Sequence, residues 1–492
     1  MKNNLIRGFP LICYYLGLFL LAIGFIILIP LITLIFYPSS REFAACFLIP
    51  GVISILFGYF VTFFFHGKKP ANLENHQDAV LVVLIWILAI LISSFPFLLT
   101  GRLTFTQAMF EVTSGYTTTG LTVIDVSTWP EIFLFYRSLT LFVGGVGFVL
   151  IVTSVISDKL RLNIYEAEGH NDKLLPNLQK SSQLIFTLYF GYILFGTLLY
   201  CICGMNFFDA LNHSIAALST GGFSTKVGNI YDFHSVSIEV VSMILMLLGS
   251  TNFVIHISLF KGKFKAVLLH CETLFTFFLL VVLTGISSVI LTVTKFQTDN
   301  NNVLVVLFQL ISALTTTGFQ NISDINLLPS FFIGIMIVLM LIGGEMGSTA
   351  GGIKQYRIIT CLKGISHYIS SSMKSTKVLH PTKVRKDEQI LYLEEKDFIS
   401  NYAFVFTYLI IFIIGSIIFS SFGYDIEKSM FEFASCLSTV GLSTGIINAT
   451  SNNVILWTGI IGMFLGRLEI FVVFYSIIKL FTKKNRGFLC RN

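Results

Sequence analysis

Charged residues are scarce in this chain. Of its 492 residues only 12% are Asp, Glu, Lys or Arg, whereas 54% are hydrophobic and the mean hydropathy is +0.82. This composition excludes an ordinary soluble domain and indicates a polytopic membrane protein. The net charge is only +6, which points to membrane topology more than to nucleic-acid binding, so we expect no nucleic acid among the partners.

The sequence also lacks the usual signs of a catalytic or metal site. Its eight cysteines include no CxxC pair, so free or buried thiols are expected. The segment 363–397, the longest between apolar runs, contains no GxGxxG and no GxxxxGK[ST]. We therefore predict that the chain is not an enzyme, binds no organic cofactor and depends on another chain for any control by nucleotides.

Long apolar runs are abundant. Ten of them can cross about 30 Å of hydrocarbon as helices. The first is too long for the apolar core of a signal peptide, and the eighth is interrupted by glycines. The runs lie near 9–37, 42–66, 79–100, 130–157, 182–204, 234–260, 271–294, 328–362, 398–421 and 453–481.

Lysine and arginine are distributed unevenly among the segments that connect these runs. If both termini are cytoplasmic, 25 of the 32 basic residues fall on the cytoplasmic side. This bias is the positive-inside pattern, and it predicts a multi-pass protein with both termini in the cytoplasm. The remaining residues are Arg41, Arg102, Arg137, Lys226, Lys295 and Lys428 on the other side, and Arg467 within the last run.

A short stretch rich in hydroxyl groups and glycine occurs four times. "TSGYTTTGLT", "SIAALSTGGFST", "LISALTTTGFQN" and "FASCLSTVGLST" align without gaps on one glycine, and these glycines are 102, 96 and 123 residues apart. Such a period indicates a pseudo-symmetric array of four span–segment–span units. The aligned glycines are Gly120, Gly222, Gly318 and Gly441, each preceded by threonine at the second position, Thr118, Thr220, Thr316 and Thr439.

The segment before each glycine has about ten apolar residues. As a helix it would reach about 15 Å, half of the hydrocarbon core, so it can enter the membrane and turn back but cannot cross. Non-helical backbone at that depth is tolerated only inside protein or beside a water-filled cavity. For a single copy, close packing of helices through small residues is an equal alternative. Four aligned copies favour a central pore.

An ion that leaves water needs oxygen ligands, and rings of backbone carbonyls provide them for potassium. Glycine lets successive carbonyls point the same way, and each short helix would direct its partially negative end at the cavity. The predicted filter residues are Thr118, Thr119, Gly120, Thr220, Gly221, Gly222, Thr316, Thr317, Gly318, Thr439, Val440 and Gly441. Potassium itself is expected at Thr118, Thr119, Thr220, Gly221, Thr316, Thr317, Thr439 and Val440.

These four stretches resemble the selectivity-filter loops of the Trk/Ktr/HKT superfamily of potassium transporters. The extra pair of spans at 9–66 is similar to that of the bacterial Trk-type membrane subunit. In that family four filter glycines favour potassium, and serine at the first is associated with sodium in some plant members; Gly120 implies potassium. The threonine before the glycine is replaced by Gly221 and Val440 in two repeats, so the filter cannot be truly four-fold.

The resemblance also implies the surroundings of the protein. It implies a multi-pass protein of the bacterial cell (inner) membrane, a homodimer, and a cytosolic regulatory subunit of the nucleotide-binding Rossmann type. The basic segments 261–265 and 363–397 would then be docking surfaces, with binding to anionic lipid headgroups as the alternative.

The fold class predicted is an all-α polytopic membrane protein. About ten transmembrane helices form four pseudo-symmetric helix–pore-loop–helix repeats around a central pore, plus an N-terminal unit of two helices. The expected division is 1–70 for that unit, 71–165, 166–266 and 267–365 for repeats 1 to 3, and 366–492 for repeat 4 with the cytoplasmic tail.

The interruption of the eighth run is the candidate gate. Residues 343–352, "GGEMGSTAGG", hold five glycines and cannot form a good helix. A packing kink is one interpretation, but the segment also resembles the family's intramembrane loop, which obstructs the pore below the filter. The predicted gate residues are Gly343, Gly344, Gly347, Ser348, Thr349, Ala350, Gly351, Gly352 and Arg467.

Arg467 is an arginine inside an apolar run. Such residues usually face the protein interior and pair, and Glu469 and Glu345 are the nearest partners in sequence. It is either a buried structural pair or, by the resemblance, a pore-facing charge that contacts the gate loop. A shared position nine residues before each aligned glycine holds Glu111, His213, Gln309 and Glu432, for which the helix dipole favours a structural role. Asp125 and Asp324 follow their glycines and either attract cations or are simply solvated.

Potassium uptake, channel-like or ion-coupled, is the leading function. A sodium-permeable or poorly selective symporter is the alternative within transport. A membrane enzyme would need clusters of His, Asp or Cys that are not visible. A carrier with inverted repeats fits poorly because the four units run in the same orientation.

Overall fold

The computed structural model describes residues 5–70, 77–147, 178–293, 302–373, 382–386 and 389–482. Helices account for nearly all regular structure in these segments. The strands form two short pairs, Leu5–Ile6 parallel to Lys69–Pro70 and Lys383–Lys386 antiparallel to Gln389–Tyr392. The all-α fold class is therefore confirmed.

Two packed helices form the N-terminal unit. They are Phe9–Leu28, extended by the 3-10 helix Ile29–Ile35, and Ala44–Phe63, preceded by the 3-10 helix Pro38–Phe43. Glycines let the two backbones approach closely, as is common between membrane helices: a β-carbon at Gly24 would lie 2.7 Å from the carbonyl oxygen of Gly51.

Four helix triplets follow the N-terminal unit, each with an outer, a short and an inner helix. We number these triplets repeats 1 to 4. The outer helices are Gln77–Ser93 (continued by Phe95–Leu98), Leu178–Ile202, Cys271–Val293 and Glu395–Ser420. The short helices are Phe105–Tyr116, Phe207–Leu218, Asn302–Leu314 and Ile426–Leu437. The inner helices begin with Glu131–Val146, Val236–Ser250, Ser330–Ile342 and Asn453–Arg467.

The short helices lie in the middle of the protein, and those of repeats 1 and 2 begin with side-chain caps. The Thr104 hydroxyl accepts from the Gln107 amide in a capping box, and Asn206 accepts from the Asp209 amide. Both bonds satisfy amides that the first turn leaves free. After the first turn, nearly every residue of each short helix is buried. A segment enclosed in this way packs against protein and not against lipid.

Three inner helices break within the described residues, including the eighth run, where the sequence indicated an interruption. Val236–Ser250 turns by 108° into Phe253–Phe260, and Asn453–Arg467 turns by 100° into Ile470–Leu480, within the helix Ile470–Thr482. In repeat 3 the residues 343–354 separate Ser330–Ile342 from Gln355–Met373. The first bend has a local cause, since Thr251 is extended and the side chain of Asn252 caps the next helix.

Length and composition support a membrane-spanning chain. Within the described residues six helices are long and apolar enough to cross, or eight if each bent pair counts as one span. The other two of the ten predicted spans correspond to Glu131–Val146 and to the split inner helix of repeat 3. Large apolar side chains such as Phe57, Phe277 and Phe406 face outward, as expected for contact with lipid.

The described parts of the segment 363–397 contain regular structure. Helix Gln355–Met373 continues past the predicted end of the eighth run, and the strands Lys383–Lys386 and Gln389–Tyr392 form a hairpin in which Lys383 lies opposite Tyr392. The end of the predicted run 130–157, the boundary at 165, the basic residues at 159–173 and Lys295 fall outside the described residues, as does the basic tail beyond 482.

Candidate ion-binding site

The four aligned glycines adopt one repeated backbone conformation. We call the segments from three residues before to three residues after each glycine glycine loops 1 to 4: 117–123, 219–225, 315–321 and 438–444. Two residues before each glycine stands a threonine in the left-handed region, with φ of 55°, 52°, 53° and 52° in Thr118, Thr220, Thr316 and Thr439. This conformation is strained for a β-branched residue. Its presence in all four repeats indicates that the four threonines have the same role.

The glycine loops close into a ring. A β-carbon at Gly120 would collide with the carbonyl oxygen of Gly221, the residue just before the aligned glycine of the next repeat. The same relation holds around the circle, from Gly222 to Thr317, from Gly318 to Val440, and from Gly441 back to Thr119. Glycine is required at all four positions because a carbonyl oxygen of the neighbouring loop fills the space of a side chain.

Backbone hydrogen bonds hold each glycine loop to the end of its short helix. The amide of the residue before each glycine donates to a carbonyl five residues back at 2.8–3.0 Å. The four bonds run from Thr119 to Ser114, Gly221 to Ala216, Thr317 to Ser312 and Val440 to Ser435. With these amides turned back into the helices, the carbonyl groups of the same residues are the ones that meet the neighbouring glycines.

The ring departs from four-fold symmetry in its hydroxyl groups. Thr117 and Thr119 share a hydrogen bond of 2.8 Å between their hydroxyls, and Thr315 and Thr317 share an equivalent one of 2.9 Å. Gly221 and Val440 cannot make this bond. Above the ring lies a cavity of about 320 Å³ that all four aligned glycines line.

The residues nine positions before each glycine brace the same glycine loop from behind. Glu111 accepts from the Thr122 hydroxyl and the Val123 amide, and Glu432 accepts from Ser443, Thr444 and the Ile447 amide. His213 shares a hydrogen bond with Ser224, and Gln309 donates to Asn321. The expected structural role therefore has a different cause from the helix dipole, since these residues lie mid-helix and not in the first turn.

Glu432→Gln should lower the thermal unfolding midpoint of the protein in detergent by several degrees. The amide would present N–H groups to backbone N–H donors, and an unsatisfied buried group costs about 1–3 kcal/mol. Glu427→Gln, in the first turn of the same short helix, is the matched control and should change the midpoint little. Equal midpoints for both variants and the unmodified protein would show that the brace contributes no stability.

The 343–352 loop lies directly against the glycine loops. The Thr349 hydroxyl donates to the carbonyls of Leu218 and Gly249, and Thr220 donates to the Thr349 hydroxyl at 3.2 Å. The Gly351 amide donates to the Thr316 hydroxyl at 2.7 Å. A β-carbon at Gly351 would also collide with the Thr439 hydroxyl. The loop thus touches the left-handed threonines of repeats 2, 3 and 4.

Carboxylates fix both ends of this loop. One Glu272 oxygen accepts from the amides of Met346 and Tyr356 at 2.8 and 3.0 Å. Within the loop, Glu345 accepts from the Asn252 amide and the Thr273 hydroxyl, both at 2.9 Å. Of the predicted gate residues, Thr349 and Gly351 touch the glycine loops. Gly343 and Gly352 close the loop base instead, where a β-carbon on either would overlap the other's backbone.

The rest of the predicted gate set lies in the body of the loop. The Ser348 hydroxyl donates to the carbonyl of Glu345 at 2.6 Å, and the carbonyl of Gly347 accepts from the Phe253 amide at 3.3 Å. Gly344 and Ala350 face each other closely, since a β-carbon at the first would lie 2.5 Å from the side chain of the second. These residues shape the loop and anchor it to the bend of inner helix 2.

Arg467 joins the 343–352 loop to repeat 1. One guanidinium nitrogen donates to the carbonyl of Thr349 at 2.7 Å and another to the carbonyl of Gly144. The two carboxylates expected as its partners also bond other groups. Glu469 accepts from the guanidinium of Arg357 at 2.7 Å, and Glu345 accepts from the Asn252 amide and the Thr273 hydroxyl. The carbonyls of Thr349 and Gly144, which accept from Arg467, are both main-chain oxygens.

Glycines in the inner helices allow close approach to the short helices. A β-carbon at Gly144, Gly249 or Gly466 would strike the carbonyl oxygen at the end of the short helix of its own repeat, that of Tyr116, Leu218 or Leu437. Packing, and not flexibility, explains these three residues. Gly343, which follows the first part of inner helix 3, instead packs against the far end of the 343–352 loop.

The two acidic residues that follow the glycines differ in position. Asp125 lines the cavity above the ring, and hydrogen bonds from the Ser127 hydroxyl and amide lower the pKa of its carboxyl. Asp324 caps the 3-10 helix Ile325–Leu327 and accepts from Asn326. Asp125 therefore stays charged at the mouth of the cavity, whereas Asp324 shapes a turn.

Sequence reasoning missed three charged residues around the ring. Arg137, assigned to the outer side, is buried in inner helix 1 and pairs with Glu111 at 2.7 Å. Glu239 is buried in inner helix 2. Lys354, counted among the cytoplasmic residues, bonds the carbonyl of Ala350 in the 343–352 loop. The burial of Arg137 could have been predicted, because the residue lies seven residues inside a predicted span.

Comparisons with known proteins agree with this architecture. A family model described as TrkH, cation transport protein, matches residues 44–485. An uncharacterized cation transporter of Methanocaldococcus jannaschii is 30% identical over 481 residues, covering 96% of each chain. The Trk system potassium uptake protein TrkG of Escherichia coli is also 30% identical, over 94% of this chain and 95% of its own.

A solved structure shares the fold. The crystal structure of the potassium transporter TrkH from Vibrio parahaemolyticus superimposes with a TM-score of 0.84 at 23% sequence identity, covering 98% of this chain and all of the other. The likeness extends over the N-terminal unit and all four repeats.

Proposed function

The chain belongs to the TrkH family of cation transport proteins, and on this premise we propose that it takes up potassium across a bacterial cell membrane through the ring of glycine loops. The observation that carries the proposal is the ring itself, in which four carbonyl groups meet four glycines in cyclic order. Similarity to a potassium uptake protein of Escherichia coli supports the choice of ion.

The ring offers the ligands that potassium requires. Carbonyl oxygens at the glycine loops would replace water around a dehydrated ion, and the C-terminal ends of the short helices favour a cation nearby. Among the described residues, the buried hydroxyls of Thr118 and Thr439 have no hydrogen-bond partner. Buried polar groups are rarely left unpaired, so these two oxygens fit an ion as their missing partner. The ion is cargo, and the residues need no organic cofactor.

The 343–352 loop and Arg467 are proposed to be the gate. The loop contacts three of the four glycine loops, and Arg467 fastens it to repeat 1. A fixed guanidinium beside the pathway would also raise the barrier to a passing cation. Movement of the loop away from the ring is then the step that permits flux.

Several properties of the assembly are part of the same proposal. We place the protein in the bacterial inner membrane, with both termini cytoplasmic, as a homodimer that binds a cytosolic nucleotide-binding regulatory subunit. The exposed apolar face of helix Gln355–Met373, with Leu362, Ile365 and Ile369, supports contact with a second copy. The basic strand Lys383–Lys386 supports a docking surface on the cytoplasmic side.

Flux into vesicles tests the proposal. Purified protein in liposomes should admit potassium with a clear preference over sodium, and it should restore growth at low potassium in a host that lacks uptake systems. Imposing a membrane potential or a sodium gradient separates a channel-like pore from ion-coupled symport. Equal permeability to both ions would favour the poorly selective alternative, and the absence of cation flux from well-folded protein would refute the proposal.

A further inference from the structure

We propose that Arg137 and Glu239 are positioning residues that tie neighbouring glycine loops together and thereby maintain selectivity for potassium; this deepens the proposed function and rests on it. The two residues occupy one equivalent position, seventeen residues after Gly120 and Gly222. Repeats 3 and 4 carry Ile335 and Thr458 at this position. Opposite charges therefore stand at matching places in the inner helices of repeats 1 and 2.

Arg137 connects repeat 1 to glycine loop 2. Its side chain is 2% exposed, and its guanidinium donates to Glu111 at 2.7 Å and to the carbonyl of Ser224 at 3.3 Å. The same group lies 3.9 Å from the centre of the Phe223 ring, a cation–π contact. Phe223 and Ser224 directly follow Gly222, so the contact reaches the backbone just beyond the ring.

Glu239 connects repeat 2 to glycine loop 3. It is 3% exposed, and one carboxylate oxygen accepts from the Asn321 amide group at 2.8 Å. The amide oxygen of Asn321 in turn accepts from Gln309 at 3.0 Å. Asn321 lies three residues after Gly318. A residue of one repeat again holds the loop of the next.

The ties occur where no carboxylate stands nine residues before the aligned glycine. Glycine loops 1 and 4 are held by their own carboxylates, Glu111 and Glu432, each of which accepts several hydrogen bonds. Glycine loops 2 and 3 have His213 and Gln309 at that position, each with one bond to its loop among the described residues, and Asp209 also accepts from the Thr225 hydroxyl of glycine loop 2. These two loops are the ones that receive a charged side chain from the preceding repeat.

The other two junctions have no such tie at the equivalent position. Ile335 has no polar group, and the hydroxyl of Thr458 donates to the carbonyl of Val454 within its own helix. Farther out, side-chain amides link the loops at these junctions, from Asn326 to the carbonyl of Thr444 and from Gln107 to the carbonyl of Ala449. Each glycine loop thus has either a carboxylate nine residues before its glycine or a charged partner from the preceding repeat, which keeps the size of the ring fixed.

Selectivity measured on variants of Glu239 tests this inference. Glu239→Leu removes the acceptor for Asn321 and should reduce the potassium-to-sodium flux ratio in liposomes by roughly tenfold, the factor expected for a hydrogen bond to a charged group. Glu239→Gln keeps an acceptor oxygen for Asn321. Its potassium-to-sodium flux ratio should therefore stay within about twofold of that of the unmodified protein. Thr458→Val, at the equivalent position of repeat 4, should leave it unchanged.

The readout distinguishes positioning from simple stability. All variants are compared as monodisperse protein with matched thermal midpoints, and Asn321→Ser replaces Glu239→Leu if the latter does not fold. A folded Glu239→Leu or Asn321→Ser variant with the unmodified flux ratio would overturn the inference, as would an equal loss in Thr458→Val. A loss in Glu239→Gln as large as that in Glu239→Leu would also count against the tie. If the unmodified protein itself shows no preference for potassium, the proposed function fails instead.

Discussion

Gly318→Ala should reduce potassium uptake by about 10- to 100-fold, because a left-handed non-glycine residue costs about 1–3 kcal/mol and each 1.4 kcal/mol is a factor of ten. Gly318 has φ of 81°, and an added methyl group would overlap the carbonyl oxygen of Val440. Relief of that overlap moves a main-chain oxygen of the neighbouring repeat, and so the ring itself. Uptake of the potassium analogue rubidium into liposomes measures the effect.

The same repeat contains a matched control. Gly334 lies in inner helix 3, where an added β-carbon would have no neighbouring heavy atom within 4 Å. Gly334→Ala should therefore keep normal uptake, and its helix should gain up to about 1 kcal/mol of stability. If the two variants had equal uptake, close contact at the ring would not govern transport.

Arg467→Ala should increase potassium flux about tenfold, because each of the two hydrogen bonds it loses is charge-assisted and contributes about 1.5–3 kcal/mol. Without the guanidinium, the carbonyls of Thr349 and Gly144 are no longer linked. Among the described residues, the loop then keeps its contacts with the glycine loops of repeats 2 to 4. Initial rates of potassium entry, normalised to the amount of folded protein, measure the change.

Arg467→Lys separates the two effects of the arginine. Lysine keeps the positive charge but cannot bridge two carbonyls with the fixed fork of a guanidinium. If the bridge closes the gate, the lysine variant should leak almost as much as the alanine variant. If charge alone is the barrier, the lysine variant should resemble the unmodified protein. Unchanged or lower flux in Arg467→Ala with normal expression would contradict a gating role.

The sequence allowed the repeats and the ring to be predicted because both depend on local patterns. Apolar runs, the distribution of lysine and arginine, and the four aligned glycines are all visible along the chain. The positive φ of Gly120 and its counterparts follows from the residue type. The left-handed threonines were not predicted, since that conformation is imposed on Thr118 and its counterparts by the surrounding loops and not by their own preference.

The bends of the inner helices could not be predicted for a different reason. At the bend of inner helix 2 the chain reads Ser250, Thr251, Asn252, with no proline to end a helix. The backbone groups freed by the bend are satisfied by the distant 343–352 loop: the carbonyl of Ser250 accepts from the Glu345 amide, and the Asn252 amide donates to the Glu345 carboxylate. Such partners, more than 90 residues apart, leave no local pattern.

Arg137 was misplaced for a related reason. Hydropathy treats an arginine near the end of an apolar run as part of the adjoining aqueous segment. The partner that allows burial, Glu111, lies 26 residues earlier on a different helix, and only the packing of short helix 1 against inner helix 1 brings them together.

On the proposed function, the contact of Thr316 with the 343–352 loop would link ion release to loop movement. The Thr316 hydroxyl oxygen accepts from the Gly351 amide, whereas the equivalent oxygens of Thr118 and Thr439 have no hydrogen-bond partner among the described residues. Withdrawal of the loop would free a lone pair of the Thr316 hydroxyl to coordinate an ion at the moment the exit clears. An arriving ion would then bind more tightly when the loop is withdrawn, so the transported ion would itself promote opening of the pore.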